Sequence, residues 1–120
     1  MKKKVLIIDD DARNIFALSA TLKAKGFDCL SAESAQQGMA FLADSNDFFV
    51  VLMDMMMPDI DGYEAIPLIH RKYNMPVIAV TAQAMAGDKE KCLEAGADDY
   101  ISKPIDVDKL LALLNTYDKQ

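Results

Sequence analysis

Five short apolar runs recur at regular intervals along the chain, at residues 5–8, 29–32, 49–53, 77–80 and 100–101. Several are near-continuous Val/Ile/Leu stretches rather than alternating ones, the pattern of strands covered on both faces. Between them the spacing becomes helical. It is clearest at the C-terminal end, where Val107, Leu110, Leu111, Leu114 and Tyr117 follow an i, i+3, i+4, i+7 stripe behind Asp106, a predicted N-cap. Asp11 is the predicted N-cap of the first helix, ahead of Ala12, Arg13 and Asn14. Gly26 and Gly96 each follow a helical segment and read as C-cap glycines. Pro58, Pro76 and Pro104 mark strand or helix boundaries.

Strand–helix alternation repeated five times predicts an α/β fold with a parallel sheet. Right-handed crossovers then place helices on both faces. No internal repeat, low-complexity segment or linker interrupts the pattern, so residues 1–120 read as a single domain, with any output domain absent or lying elsewhere.

Composition narrows the function classes. Of 120 residues, 52% are hydrophobic and 27% charged, which excludes a disordered chain, a collagen and a disulfide scaffold. Nineteen acids against thirteen bases give a net charge of -6, which argues against direct binding of nucleic acid or anionic membranes. One histidine, His70, cannot build a His-rich metal site; it reads as a surface or capping group near a helix end. Cys29 and Cys92 form no CxxC pair and read as reduced core thiols. Lys2, Lys3 and Lys4 before an apolar run mimic a signal peptide, but the run stops after four residues. No stretch is long enough to span a membrane, and a cytoplasmic location is expected.

In an open parallel sheet, ligands bind outside the carboxyl ends of the strands. Here the first run ends in Asp9, Asp10 and Asp11, the third in Asp54 and the fourth in Thr81, and the fifth is followed by Lys103 and Pro104. Crowded carboxylates repel and raise each other's proton affinity, so such a cluster calls for a cation. Hard oxygen ligands without His or Cys fit Mg²⁺. The charges of Asp9, Asp10 and Asp54 are matched by one Mg²⁺ and Lys103. A balanced site of this kind suits a phosphoryl group, with a carboxylate as nucleophile forming an aspartyl phosphate. Asp54, on a central strand, is best placed to be that nucleophile. Thr81 and Lys103 flank it, and the Thr81 hydroxyl can follow the phosphoryl group.

The set Asp9-Asp10, Asp54, Thr81-Ala82 and Lys103-Pro104 resembles the receiver domain of two-component response regulators. The phrases MDMMMPDIDG at 53–62 and GADDYISKP at 96–104 strengthen the likeness, which spans essentially the whole chain. The resemblance implies a flavodoxin-like doubly wound (βα)5 fold with strand order 2-1-3-4-5. It implies that Asp54 accepts a phosphoryl group from a phosphohistidine on a histidine kinase or histidine phosphotransfer protein. Asp9, Asp10 and the Met56 backbone carbonyl would bind Mg²⁺ together with Asp54. Lys103 would pair with phosphoryl oxygens. Thr81 and Tyr100 would switch, the tyrosine changing its exposure. Met56 and Gln83 would flank the pocket and tune hydrolysis. An apolar Met56 hinders water and Gln83 is no charged base, so a moderately long-lived aspartyl phosphate is expected. Output would pass through the fourth helix, fifth strand and fifth helix, with no turnover of a separate substrate.

Residues 11–18 and 87–92 look most like receivers of hybrid sensor histidine kinases, with single-domain regulators the other option. The chain would then be cytoplasmic, alone or as the cytoplasmic part of a membrane-bound hybrid kinase. On a helical wheel Ile15, Leu18 and Leu22 share one face of the first helix and Phe16 falls to the side. Phe16 is therefore a candidate docking residue for the phosphodonor, with Ile15 and Pro104 as further candidates. Gly87 softens the start of the fourth helix, and rearrangement of 82–90 on activation is expected.

Two other functions compete. A haloacid-dehalogenase-like Mg²⁺-dependent phosphatase also uses a strand-end Asp, and Asp9 and Asp11 form Asp-x-Asp. However, Arg13 stands where that class wants Thr or Val, and its late Asp pair is not obvious. A flavin carrier on the same fold needs a hydroxyl-rich phosphate loop after the first strand, and acids stand there instead.

Overall fold

The computed structural model describes residues 4–44, 47–55, 62–81, 88–103 and 105–117. The elements run β1 (Lys4–Ile8), α1 (Ala12–Ala24), β2 (Asp28–Ala32), α2 (Ala35–Asp44), β3 (Phe48–Asp54), α3 (Gly62–Tyr73), β4 (Val77–Thr81), α4 (Asp88–Glu94), β5 (Asp99–Ser102) and α5 (Val107–Tyr117). The strands are all parallel, in the order β2-β1-β3-β4-β5. The flavodoxin-like order expected from the sequence is the one observed.

The near-continuous apolar runs are explained by two cores, one on each sheet face. Side chains alternate between faces along each strand. Leu6, Ile8, Val51, Met53, Val77 and Ala79 pack with Ala35 and Leu42 of α2 and with Ile66 and Ile69 of α3. Val5, Ile7, Val50, Leu52, Ile78 and Val80 pack with Leu22 of α1 and with Leu110 and Leu114 of α5. A strand covered on both sides has no solvent face on which polar residues would be favoured.

Local signals set the helix ends. The Asp11 carboxylate accepts from the Arg13 N–H at 2.9 Å and caps α1. Asp106 does the same for α5, accepting from Asp108 and Lys109 N–H at 3.0 and 3.3 Å. At the end of α1, Gly26 N–H donates to the Lys23 carbonyl and Phe27 N–H to the Leu22 carbonyl. This is a Schellman closure, and it needs the φ of +94° that Gly26 adopts. Two features went unread in the sequence. Asn74 takes φ +52° after α3, and Pro67 lies inside that helix, where its missing N–H removes one helical bond.

Candidate functional site

The carboxyl ends of β1, β3, β4 and β5 meet at one edge of the sheet. Among the described residues the buried polar side chains are Asp9, Asp54 and Thr81, each about 5% exposed or less. The three consecutive aspartates after β1 divide their work. Asp9 N–H donates to the Ala32 carbonyl at 3.0 Å, extending the β1–β2 ladder and turning its side chain inward. The Asp9 carboxylate accepts from the Asp11 N–H at 2.9 Å. Asp10 is exposed, and Asp11 is spent on the helix cap.

Asp9, Asp10 and Asp54 each offer a carboxylate oxygen within 4.8 Å of the others. Lys103 enters from the end of β5, fixed by its backbone N–H donating to the Thr81 carbonyl at 2.8 Å. Its Nζ lies 3.7 Å from Asp54 Oδ2 and 3.9 Å from Asp9 Oδ2. Burial pushes the Asp9 carboxyl up to about 6, and the Asp54 carboxylate adds to the rise. The Asp11 N–H and, to a smaller extent, Lys103 oppose it. Three carboxylates against one ammonium leave two uncompensated negative charges. Clustered hard oxygens with that surplus fit a divalent cation such as Mg²⁺.

The structure thus brings together Asp9, Asp10, Asp54, Thr81 and Lys103, each predicted from a strand end. Tyr100 is half-buried in β5, opposite Ala79, and packs on the α2/α3 side of the sheet. Met56, Gln83 and Pro104 lie outside the described residues, as do Ala82 and Gly87 and the side chain of Cys92. Phe16 is 77% exposed, whereas Ile15 is half-buried against the α1/α5 core, so of that pair Phe16 alone offers a free apolar surface.

His70 is more than a surface or capping group. Its Nε2 lies 3.0 Å from Asp98 Oδ2, an oxygen that also accepts from the Val77 N–H at 2.8 Å. Nothing in the spacing of these residues signalled that contact. Among the described residues, no helix is long and apolar enough to cross a membrane.

Comparison with known proteins agrees with this geometry. Residues 5–115 match the response regulator receiver domain family. Hybrid signal transduction histidine kinase I of Dictyostelium discoideum is 38% identical over 123 residues, a match covering 95% of this chain and 7% of that protein. Signal transduction histidine-protein kinase BarA of Escherichia coli K12 is 41% identical over 116 residues, covering 94% of this chain and 12% of the kinase. The receiver domain of a sensor histidine kinase from Pseudomonas aeruginosa PAO1 was solved with a magnesium ion in its active site cleft. It is 30% identical, covers 98% of each chain and superposes with a TM-score of 0.86. The chain spans only a small part of these two kinases. The phosphatase alternative finds no support among these matches. A parallel 2-1-3-4-5 sheet, an acidic pocket with a lysine above it and a match over 5–115 place the chain in the response regulator receiver domain family, the phosphoacceptor switches of two-component systems.

Proposed function

We propose that Asp54 is the phosphoacceptor and that its phosphoryl group comes from a phosphohistidine of a histidine kinase or histidine phosphotransfer protein. The observation that carries this reading is the convergence of Asp9, Asp10 and Asp54 within 4.8 Å, with the Lys103 ammonium 3.7 Å from Asp54. An Asp54 carboxylate oxygen attacks phosphorus, the new O–P bond forms as the N–P bond breaks, and the imidazole leaves with that electron pair. Asp9, Asp10 and Asp54, with the Met56 carbonyl, would hold Mg²⁺. When bound, the ion supplies positive charge to phosphoryl oxygens during transfer.

Lys103 supplies a second positive charge, already positioned 3.7 Å from Asp54 Oδ2 before reaction. Thr81, buried at the end of β4, offers a hydroxyl donor to the transferred group. Tyr100 follows that movement from β5, and the surface of α4, β5 and α5 carries the output. Met56 and Gln83 set how quickly water removes the phosphate. The chain takes part in its own phosphorylation and dephosphorylation, turns over no separate substrate and works in the cytoplasm.

The test is intact mass after incubation with acetyl phosphate, with and without Mg²⁺, for the wild type and Asp54→Asn. One phosphoryl adduct that requires both Mg²⁺ and Asp54 is expected. An adduct that survives Asp54→Asn would refute the assignment.

A further inference from the structure

We propose that Asp11 is a positioning residue for the metal site. By capping α1 it holds its own N–H against Asp9, and so fixes how the Asp9 and Asp10 carboxylates are presented to a divalent cation. The effect on the cation rests on the reading of Asp9, Asp10 and Asp54 as Mg²⁺ ligands.

The hydrogen bonds run in a chain. Asp9 is held from behind, its N–H donating to the Ala32 carbonyl at 3.0 Å. Its Oδ1 accepts from the Asp11 N–H at 2.9 Å, while its Oδ2 is the oxygen 3.9 Å from the Lys103 ammonium. The Asp11 carboxylate accepts in turn from the Arg13 N–H at 2.9 Å, and the Asp11 carbonyl accepts from the Ile15 N–H at 3.0 Å. Asp11 is therefore in extended backbone, φ -101° and ψ 109°, directly before the helix. An N-cap side chain with an oxygen secures that conformation, and without one the first turn frays. The helix it caps is seated on the sheet through Ile15, Leu18 and Leu22. The cap thus ties the turn at residues 9–11 to the body of the fold.

Asp10 gains most from this. It is exposed, and its neighbours are one residue held in the sheet ladder and one that begins the helix. With both flanks pinned, its carboxylate is kept within 4.8 Å of those of Asp9 and Asp54. The Asp11 carboxylate is exposed and does not belong to that converging group, so its charge is screened and its influence runs through the backbone.

The probe is MgCl₂, titrated into the full ¹⁵N-labelled chain and followed by amide chemical shifts. Asp11→Ala should weaken Mg²⁺ binding about tenfold, the lower end of the effect of groups that orient metal ligands. Asp11→Asn and Asp11→Ser keep an oxygen that caps and should stay within about threefold of the wild type. Asp106→Ala removes the same kind of cap from α5 and should leave the affinity within about twofold. Unchanged affinity in Asp11→Ala, equal losses in all three Asp11 variants, or an equal loss in Asp106→Ala would overturn the proposal. In the metal-free chain, hydrogen-exchange protection of the residue 11 amide should fall about tenfold in Asp11→Ala and persist in Asp11→Asn. Equal protection in both would overturn the positioning of Asp9. If the wild type takes up no Mg²⁺, the metal reading fails and the effect on affinity falls with it, while the exchange rates still decide whether the cap holds Asp9.

Discussion

Lys103 Nζ stands 3.7 Å from Asp54 Oδ2, and the two residues reach each other from the ends of β5 and β3, strands separated by β4. The pair is anchored through the backbone, because the Lys103 N–H donates to the Thr81 carbonyl at 2.8 Å. An ammonium fixed this way costs little reorganisation when charge builds on a phosphoryl group. Lys103→Ala should therefore slow adduct formation by about 10²-fold, measured as the initial rate by intact mass. A rate within twofold of wild type would show that the ammonium is not used.

The Asp9 carboxyl, raised to about 6, gives the site a pH dependence. Its folded value lies above the ordinary value of 3.8, so the folded protein holds that proton more tightly than the unfolded chain. The protonated form stabilises the metal-free fold below about pH 4, and this contribution is lost as pH rises through about 6, at most on the order of 3 kcal/mol. Metal-free urea midpoints should fall across that window, and Asp9→Asn should flatten the fall. Mg²⁺ needs the ionised form, so its affinity should drop as pH is lowered below about 6.

Gly38 of α2 is packed against Ile8, the last residue of β1, directly before Asp9. A methyl group there would collide with Ile8 Cδ1 and come within 2.8 Å of Ile8 Cγ1, and Ile8 is fully buried. The gain in helix propensity from Gly to Ala is about 1 kcal/mol, against an overpacking cost of about 1–3 kcal/mol. Gly38→Ala should thus destabilise by about 1 kcal/mol. Ile8→Val, which removes Cδ1, should recover part of that loss in a double-mutant cycle.

Asp98 ties the start of β5 to β4. Its carboxylate accepts from the buried Val77 N–H at 2.8 Å, and its own N–H donates to the Val77 carbonyl at 2.8 Å. Asp98→Ala leaves the Val77 N–H without that acceptor and should cost about 1–3 kcal/mol by denaturant unfolding. Asp98→Asn keeps an acceptor oxygen and should restore most of it. Equal losses for both variants would place the effect in charge rather than in the hydrogen bond.

Cys29 of β2 packs on the α1/α5 core, and burial pushes its thiol up to about 11. Lys23 opposes the rise and Asp28 adds to it. Alkylation at pH 8 should be at least about tenfold slower than for a free cysteine, because the thiolate is the reacting form. Labelling at the free-thiol rate would show that β2 opens readily.

Most of the fold was legible in the sequence because its causes are local. Strand periodicity, the caps at Asp11 and Asp106 and the turn at Gly26 depend on residues a few positions apart. The principal polar residues of the site were legible for a related reason. In a parallel sheet every strand end points to one edge, so Asp9, Asp54, Thr81 and Lys103 could be placed together once the strands were placed. Tertiary structure decided the rest. It chose which of three consecutive aspartates is buried, which is exposed and which caps a helix. It brought His70 to Asp98, pressed Gly38 onto Ile8 and kept Pro67 inside a helix. Each of these depends on distances between segments remote in sequence, set by how the helices settle on the sheet, and no local pattern records that packing.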